Sequence, residues 1–362
     1  MIRPLFLVLA VFVASCGPQP RIEMVPDETQ VTATRTVFVA TNRAFENQSY
    51  SAGRESELDY TRFEVAIPPV REVGEISWAE YRYDPETDFG VVRADRYGSA
   101  GAFRSQIRRE LQARPVADRE VVVFIHGYYN NFASGLFRVA QMAHDYDTAG
   151  VVAHFSWPSA GNPLGYVFDR ESATFSRDAL EVFLRDLSAA GAERILLIGH
   201  SVGASLAMET LRQIRISGND AVLDDLSGVV LISPDIDIEV FQTQARALEP
   251  LPQPFVIMTS RQDRALRLSA GITGRQNRLG SIGTPEDVAE FEITLIDLSA
   301  FEGGAGDWAN HATFATSPSL IRLLGGFPTF GAAQEESAIG LVPGTVLTIQ
   351  NATQILLSPV LQ

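Results

Sequence analysis

The sequence contains few of the residues that crosslink a chain or bind polyanions. Its 362 residues include one cysteine, Cys16, which excludes an intramolecular disulfide and a cysteine-based metal site. Lysine and arginine total 29 against 44 aspartates and glutamates, for a formal net charge of -15. Such a surface repels phosphates, so no nucleic acid partner is expected. We predict neither a metal nor an organic cofactor.

The apolar run near the N-terminus is too short to cross a bilayer comfortably. Residues 5–13 follow a basic Arg3 and end in small residues before Cys16, as in a signal peptide. The segment resembles a bacterial lipoprotein signal. The resemblance implies a signal peptide at 1–15, a lipid anchor on Cys16, a polar tether at 16–33 and a location in the bacterial cell envelope. Gly17 in place of aspartate favours the outer membrane, facing the periplasm. An ordinary secretory signal with an incidental cysteine is the alternative.

Beyond this segment the hydrophobic period changes along the chain. Residues 34–85 hold strand-like runs at 35–41, 60–67 and 76–83, which predict an antiparallel start to a sheet. From about residue 100, uninterrupted apolar runs alternate with helical segments, among them 102–113, 132–146, 173–190 and 204–214. This alternation is typical of a mostly parallel sheet with helices on both faces. We therefore predict an α/β fold whose sheet has an antiparallel N-terminal extension.

The predicted domain organisation is simple. No internal repeat or low-complexity tract divides the chain, so one domain is expected over residues 34–327. Residues 328–362 form a C-terminal extension of unknown role, whose apolar runs at 341–349 and 355–361 are expected to dock as strands.

The pentapeptide Gly199-His200-Ser201-Val202-Gly203 predicts a serine nucleophile. A buried strand at 195–198 leads into it and a helix rich in small residues leads out, the context of a nucleophile elbow. The serine there sits on a strained turn that lifts its oxygen above the sheet, and side chains two residues away on either side would collide. A capped strand-to-helix turn without catalysis is the alternative.

An acyl-transfer site also needs N–H donors for a developing oxyanion. The loop after the apolar run Val121–Ile125 begins with His126-Gly127-Tyr128. The backbone N–H of Tyr128 is the predicted donor, paired with that of Val202, and Gly127 lets the loop approach the substrate. His126 directly follows the strand, which favours a bracing role over that of a catalytic base.

In folds whose serine sits on such an elbow, the catalytic residues follow one another along the chain in the order serine, acid, then histidine. His311 is the one histidine after Ser201, so it is the predicted base. Two places can supply the acid, because both follow apolar strands that end near the serine. Asp263 follows the later strand and is favoured, while Asp235 is the alternative unless it caps the helix that starts near Ile236.

Several segments together resemble a bacterial family of α/β-hydrolases of unknown function within the esterase/lipase superfamily. The resemblance spans about residues 34–325 and rests on runs at 38–43, 123–128, 155–159, 166–169 and 233–237. It implies an α/β-hydrolase fold and a serine hydrolase with Ser201 as nucleophile, Asp263 as acid and His311 as base. Ser233 stands where the family usually has alanine.

The predicted activity is carboxylic ester hydrolysis through an acyl-serine intermediate, on a small-molecule ester. Gly127, Trp157 and Tyr166 are expected at the substrate rim, although Trp157 and Tyr166 could instead serve only to pack the following helix. A thioesterase, amidase or acyltransferase on the same residues is one alternative. A non-catalytic envelope scaffold is another. The sequence leaves the oligomeric state open.

Overall fold

The computed structural model describes residues 19–27, 29–274, 277–283, 285–304, 306–325, 345–351 and 354–359. The predictions for residues 1–15 and for Cys16 therefore lie outside the described residues. The described strands form one mixed sheet in the order β11-β10-β9-β8-β7-β6-β4-β5-β1-β2-β3. They are β1 Ala33–Glu46, β2 Ser49–Ile67, β3 Gly90–Tyr97, β4 Val121–Ile125, β5 Val151–Ser156, β6 Ile195–His200, β7 Leu226–Ile232, β8 Phe255–Thr259, β9 Thr294–Asp297, β10 Thr345–Asn351 and β11 Gln354–Pro359.

Helices connect these strands. They are α1 Ala100–Gln112, α2 Phe132–Asp145, α3 Tyr166–Phe175, α4 Arg177–Ala189, α5 Val202–Ser217, α6 Ala221–Asp224, α7 Ile238–Leu248, α8 Arg264–Thr273, α9 Thr313–Thr316 and α10 Pro318–Gly325. Short 3₁₀ turns occupy Val116–Asp118, Leu279–Ser281 and Pro285–Val288. No helix among the described residues is long and apolar enough to cross a membrane.

The centre of the sheet is parallel and buried. Strands β4 to β9 pair in parallel, and β1 joins them in parallel beside β5. The apolar side chains of these strands point alternately into two cores, one on each face of the sheet. A strand covered on both faces has no need of polar alternation, which explains the uninterrupted apolar runs in the sequence. The α/β-hydrolase fold prediction is confirmed.

The antiparallel start differs in one element from the sequence-based expectation. Strands β1, β2 and β3 pair antiparallel in turn. However, the third strand is Gly90–Tyr97, and the expected strand at 76–83 contributes only an isolated bridge between Trp78 and Phe89. The expectation at 76–83 was wrong because that segment packs Ile76 and Trp78 against the core without a ladder of its own. The expected helix at 173–190 is two helices, α3 and α4, which meet at Ser176.

The segment expected to be a tether is docked where the structure describes it. Val25 donates its N–H to the Val91 carbonyl at 2.9 Å, and Val91 donates to Glu23 at 2.8 Å. The side chain of Val25 is buried, and Ile22 packs against the core. Residues 19–27 therefore lie along the domain. Because the packed side chains are apolar, burial holds this segment in place.

Candidate active site

The turn between β6 and α5 holds Ser201 in a strained conformation. Its φ of 56° and ψ of -122° lie outside the regions that non-glycine residues ordinarily adopt. The Ser201 N–H donates to the Ile232 carbonyl at 2.9 Å, which ties the turn to the end of β7. Such a turn raises the serine above the carboxyl edge of the sheet and points the start of α5 toward it.

Both glycines of the pentapeptide are required by close packing. A Cβ on Gly203 would lie 2.3 Å from the His126 carbonyl oxygen, and one on Gly199 would lie 2.8 Å from the Ala204 Cα. These neighbours are backbone atoms, which cannot rotate away. The steric reason for the glycine spacing in the sequence is therefore present in the structure.

The structure brings His311 and Asp263 together. His311 Nδ1 lies 2.7 Å from Asp263 Oδ2, and the other carboxylate oxygen accepts the Leu266 N–H at 2.9 Å as the N-cap of α8. Burial lowers the pKa of His311, but the Asp263 carboxylate, together with the smaller effects of Asp235 and Asp307, more than offsets it, so that the pKa is raised overall. The bond at Nδ1 fixes the ring so that Nε2 is left for a substrate or a serine proton.

Asp235, the alternative acid, is engaged elsewhere. It accepts hydrogen bonds from the Tyr166 hydroxyl at 2.7 Å and the Ser269 hydroxyl at 2.8 Å, and Arg278 Nε lies 3.2 Å from its Oδ1. Its backbone N–H donates to the Ser201 carbonyl at 3.2 Å. It does not cap the next helix, because Asp237 is the N-cap of α7. Asp235 thus supports the wall beside Ser201.

His200 links the elbow to the segment that carries His311. Its Nε2 lies 2.9 Å from the His311 carbonyl oxygen, and the two rings are 4.7 Å apart. Burial, together with His311, lowers the pKa of His200 well below its usual value, so the ring is neutral. A carbonyl oxygen only accepts, so the neutral ring carries its proton on Nε2.

Asp307 was missed by the sequence analysis. Its carboxylate accepts the backbone N–H groups of His311 and Ala312, both at 2.9 Å, and so shapes the turn that presents the imidazole. Aspartate commonly organises turns through its own following backbone. An acidic residue four positions before the histidine was the available signal.

The loop after β4 lies against the elbow. A Cβ on Gly127 would lie 2.8 Å from the Ser201 Cβ, so the loop touches the serine only because residue 127 is glycine. Within the described residues, neither the Tyr128 N–H nor the Val202 N–H donates a hydrogen bond to another group. Two N–H groups beside Ser201 are therefore available to a ligand.

A buried charged network braces this loop. Arg43 donates to the carbonyls of Asn130 and Ser159, both at 2.9 Å. Asp169 accepts the Tyr129 N–H at 3.1 Å and the Ser159 hydroxyl at 2.5 Å. Burial lowers the pKa of Arg43 to about 9 and raises that of Asp169. Arg43 was visible in the sequence as a charge at the end of an apolar strand, but its partners were not.

The expected rim residues do not all lie at the surface. Trp157 is fully buried, stacks on His126 at 4.7 Å and donates to the His126 carbonyl at 2.7 Å. This corrects the rim expectation for Trp157, because the ring packs beneath the loop. Tyr166 is also buried, with its ring 5.6 Å from that of Tyr128. His126 lies between the carbonyls of Gly127 and Trp157, which is a bracing position.

An apolar cavity of about 140 Å³ lies apart from Ser201. It is on the face of the sheet between α2 and the α9–α10 segment, and Phe314 forms part of its wall. Among the described residues, no cluster of histidine, cysteine and carboxylate side chains could hold a metal ion.

The family follows from a comparison of the chain with known families. A model described as "Alpha/beta hydrolase of unknown function (DUF900)" matches residues 99–326. The chain belongs to this family. The match includes β4 to β9, Ser201, Asp263 and His311, so this member of the α/β hydrolases carries the described site inside the family region.

One solved structure is similar to this α/β hydrolase at low identity. It comes from a study of two esterases of the fungus Rhizomucor miehei, with 13% identity, 80% of this chain and 78% of that chain covered, and a TM-score of 0.30. No curated protein sequence matches the chain.

Proposed function

We propose that this α/β hydrolase is a serine esterase that cleaves carboxylic esters through an acyl-serine intermediate. The observation that carries the proposal is the 2.7 Å contact between His311 Nδ1 and Asp263 Oδ2, on a segment that a 2.9 Å bond from His200 joins to the strained turn of Ser201. A histidine oriented by a buried carboxylate is the group that activates a serine. A scaffold protein would need none of the three.

In the proposed reaction Ser201 Oγ attacks the ester carbonyl while His311 Nε2 takes the hydroxyl proton. The N–H groups of Tyr128 and Val202 stabilise the oxyanion. The tetrahedral intermediate collapses, the bond to the alcohol oxygen breaks, and His311 returns its proton to that oxygen. Water then adds to the acyl carbon with His311 again as base, and Ser201 leaves with the proton to regenerate the enzyme.

The test is labelling of the purified protein by a fluorophosphonate probe. Wild type is compared with Ser201→Ala and His311→Ala, and with Ser205→Ala as a matched control in the first turn of α5. We expect wild type and Ser205→Ala to react and the other two variants to stay unlabelled. A folded wild type that does not react, or labelling that persists in Ser201→Ala, would contradict the proposal.

Thioester or amide cleavage and acyl transfer use the same residues and are separated by substrate. p-Nitrophenyl butyrate, the corresponding thioester and the anilide are compared, each with and without an alcohol acceptor. The proposal requires the ester to be hydrolysed with water as acceptor at the highest kcat/KM. A higher value for the thioester or anilide would replace it with that activity.

We also propose that the chain is anchored in the bacterial envelope by a lipid on Cys16, in the outer membrane facing the periplasm. The support is the position of the chain's one cysteine after a short apolar run and small residues. Palmitate labelling of cells that express wild type or Cys16→Ser tests this. We expect label and membrane association only in wild type, and association of Cys16→Ser with the membrane pellet would contradict the anchor.

A further inference from the structure

The described chain begins beside the candidate active site. Asn131 donates its side-chain amide to the Pro20 carbonyl at 2.8 Å, and Pro20 is buried. Asn131 caps α2 directly after the loop that contains Tyr128. Cys16 is four residues before Pro20, and four extended residues span at most about 14 Å. A lipid on Cys16 would therefore enter a membrane close to the carboxyl edge of the sheet.

Exposed apolar side chains occur in the segments at this same edge. Leu164, Val167, Leu268 and Trp308 are 63 to 81% exposed. Leu164 lies three residues after Gly161, which packs against Asn131. A Cβ placed on Gly161 would lie 3.1 Å from the Asn131 Cβ. Leu164 is therefore close in sequence to a glycine that packs on Asn131, the residue that bonds to Pro20. Large apolar side chains in water cost free energy that a bilayer surface removes.

The segments that carry these side chains surround Ser201. Val167 is next to Tyr166, and Leu268 is next to Ser269. The hydroxyls of Tyr166 and Ser269 both donate to the Asp235 carboxylate. The backbone N–H of Asp235 in turn donates to the Ser201 carbonyl. Trp308 lies in the turn before His311, and that turn is joined to α8 by a 2.8 Å bond from the Arg264 N–H to the Ala309 carbonyl. We call Leu164, Val167, Leu268 and Trp308 the apolar rim.

Three arginines accompany the apolar rim. Arg264 and Arg267 are exposed, and Arg170 is half-buried with a 3.4 Å bond to the Tyr166 hydroxyl. None of these three arginines forms an ion pair with a carboxylate among the described residues. In a chain of net charge -15, guanidinium groups at this edge complement lipid phosphates.

We propose that the carboxyl edge of the sheet rests on the bilayer that holds the Cys16 lipid, through the apolar rim, and that the substrates are acyl esters drawn from that bilayer. The inference rests on the proposed esterase activity and anchor. The short span between Cys16 and Pro20 fixes which edge faces the lipid.

Orientation is tested without any need for activity. The lipidated full chain is reconstituted in vesicles of phosphatidylethanolamine and phosphatidylglycerol whose acyl chains carry bromine, a short-range quencher of tryptophan emission. Trp308 is the exposed tryptophan, while Trp157 is buried and Trp78 packs against the core. We expect quenching in wild type that disappears in Trp308→Phe. A vesicle-bound chain without this difference overturns the proposal, as does a chain that does not bind the vesicles.

Substrate access is tested with two matched pairs of substitutions. The rim pair is the double substitution Leu164→Asp/Leu268→Asp. The control pair is Val116→Asp/Ile216→Asp, which alters side chains that are 74% and 63% exposed at the opposite edge of the sheet. Each protein is assayed on two substrates. One is a long-chain methylumbelliferyl ester held in vesicles, and the other is p-nitrophenyl butyrate in solution. We expect the rim pair to lose roughly tenfold or more on the vesicle ester alone. The control pair should keep both activities.

The outcomes separate the two proposals. Equal vesicle-ester rates for the rim pair and the control pair overturn access through the rim, even if soluble ester is hydrolysed normally. Failure of wild type to hydrolyse either ester, with no fluorophosphonate labelling, overturns the esterase and the substrate class together. Trp308 quenching still decides the orientation in that case.

Discussion

Replacement of Asp263 by asparagine isolates the role of one carboxylate, because most of its structural contacts survive. The asparagine Oδ1 can still accept the Leu266 N–H and cap α8. Its amide group, however, would donate toward His311 Nδ1, which in the wild type itself donates to Asp263 Oδ2 at 2.7 Å. The imidazole must then carry its own proton on Nε2, where it cannot accept the proton of Ser201.

The loss expected from this tautomer change is large. In a serine–histidine–aspartate site, the corresponding substitution costs about ten-thousandfold in kcat, or about 5.5 kcal/mol of transition-state stabilisation. Loss of the carboxylate also removes the main cause of the raised His311 pKa. The acid limb of the residual activity should therefore move to lower pH.

The assay is hydrolysis of p-nitrophenyl butyrate across a pH series, with the rate of fluorophosphonate labelling as a second readout. Asp235→Asn is the matched control. It should retain kcat within about tenfold, yet lower the free energy of unfolding by about 3–5 kcal/mol, because Arg278 loses the partner of a buried charge. Strong loss of activity in Asp235→Asn with little loss in Asp263→Asn would refute the assignment of the acid.

Three further predictions follow from the described contacts. The kcat/KM for ester should rise with pH through a midpoint above 6.5, since His311 must be neutral to accept a proton and its pKa is raised; a midpoint well below 6.5 would contradict this. Gly203→Ala should destabilise the fold by about 1–3 kcal/mol or more, because its Cβ would lie 2.3 Å from the His126 carbonyl. Gly271→Ala, in open space on α8, should be neutral or stabilising in the same thermal melt. Arg43→Met should cost about 3–5 kcal/mol in chemical denaturation, since it leaves the Asn130 and Ser159 carbonyls without their donor and the buried Asp169 carboxylate without the positive charge near it; an unchanged midpoint would contradict the bracing role.

Much of the central sheet could be predicted because its strands are buried on both faces. The run Val121–Ile125 is the strand β4 without any change of bounds. The steric requirement at Gly199 and Gly203 also follows from local sequence, since a sharp strand-to-helix turn leaves no space for their side chains. The third antiparallel strand, Gly90–Tyr97, was not found, because its burial depends on pairing with β2.

The amino-acid sequence by itself determined the class of fold, the turn that carries Ser201 and the order of the candidate residues. Hydrophobic period and glycine spacing are local properties, so they can be read without a structure. Only the tertiary structure shows that Asp263 contacts His311 and that Asp235 contacts Arg278, because the two aspartates follow adjacent strands and differ in what their oxygens meet. It likewise buried Trp157 under the loop and brought Pro20 to Asn131. Contacts between residues distant in sequence depend on how the elements pack, and no local pattern encodes them.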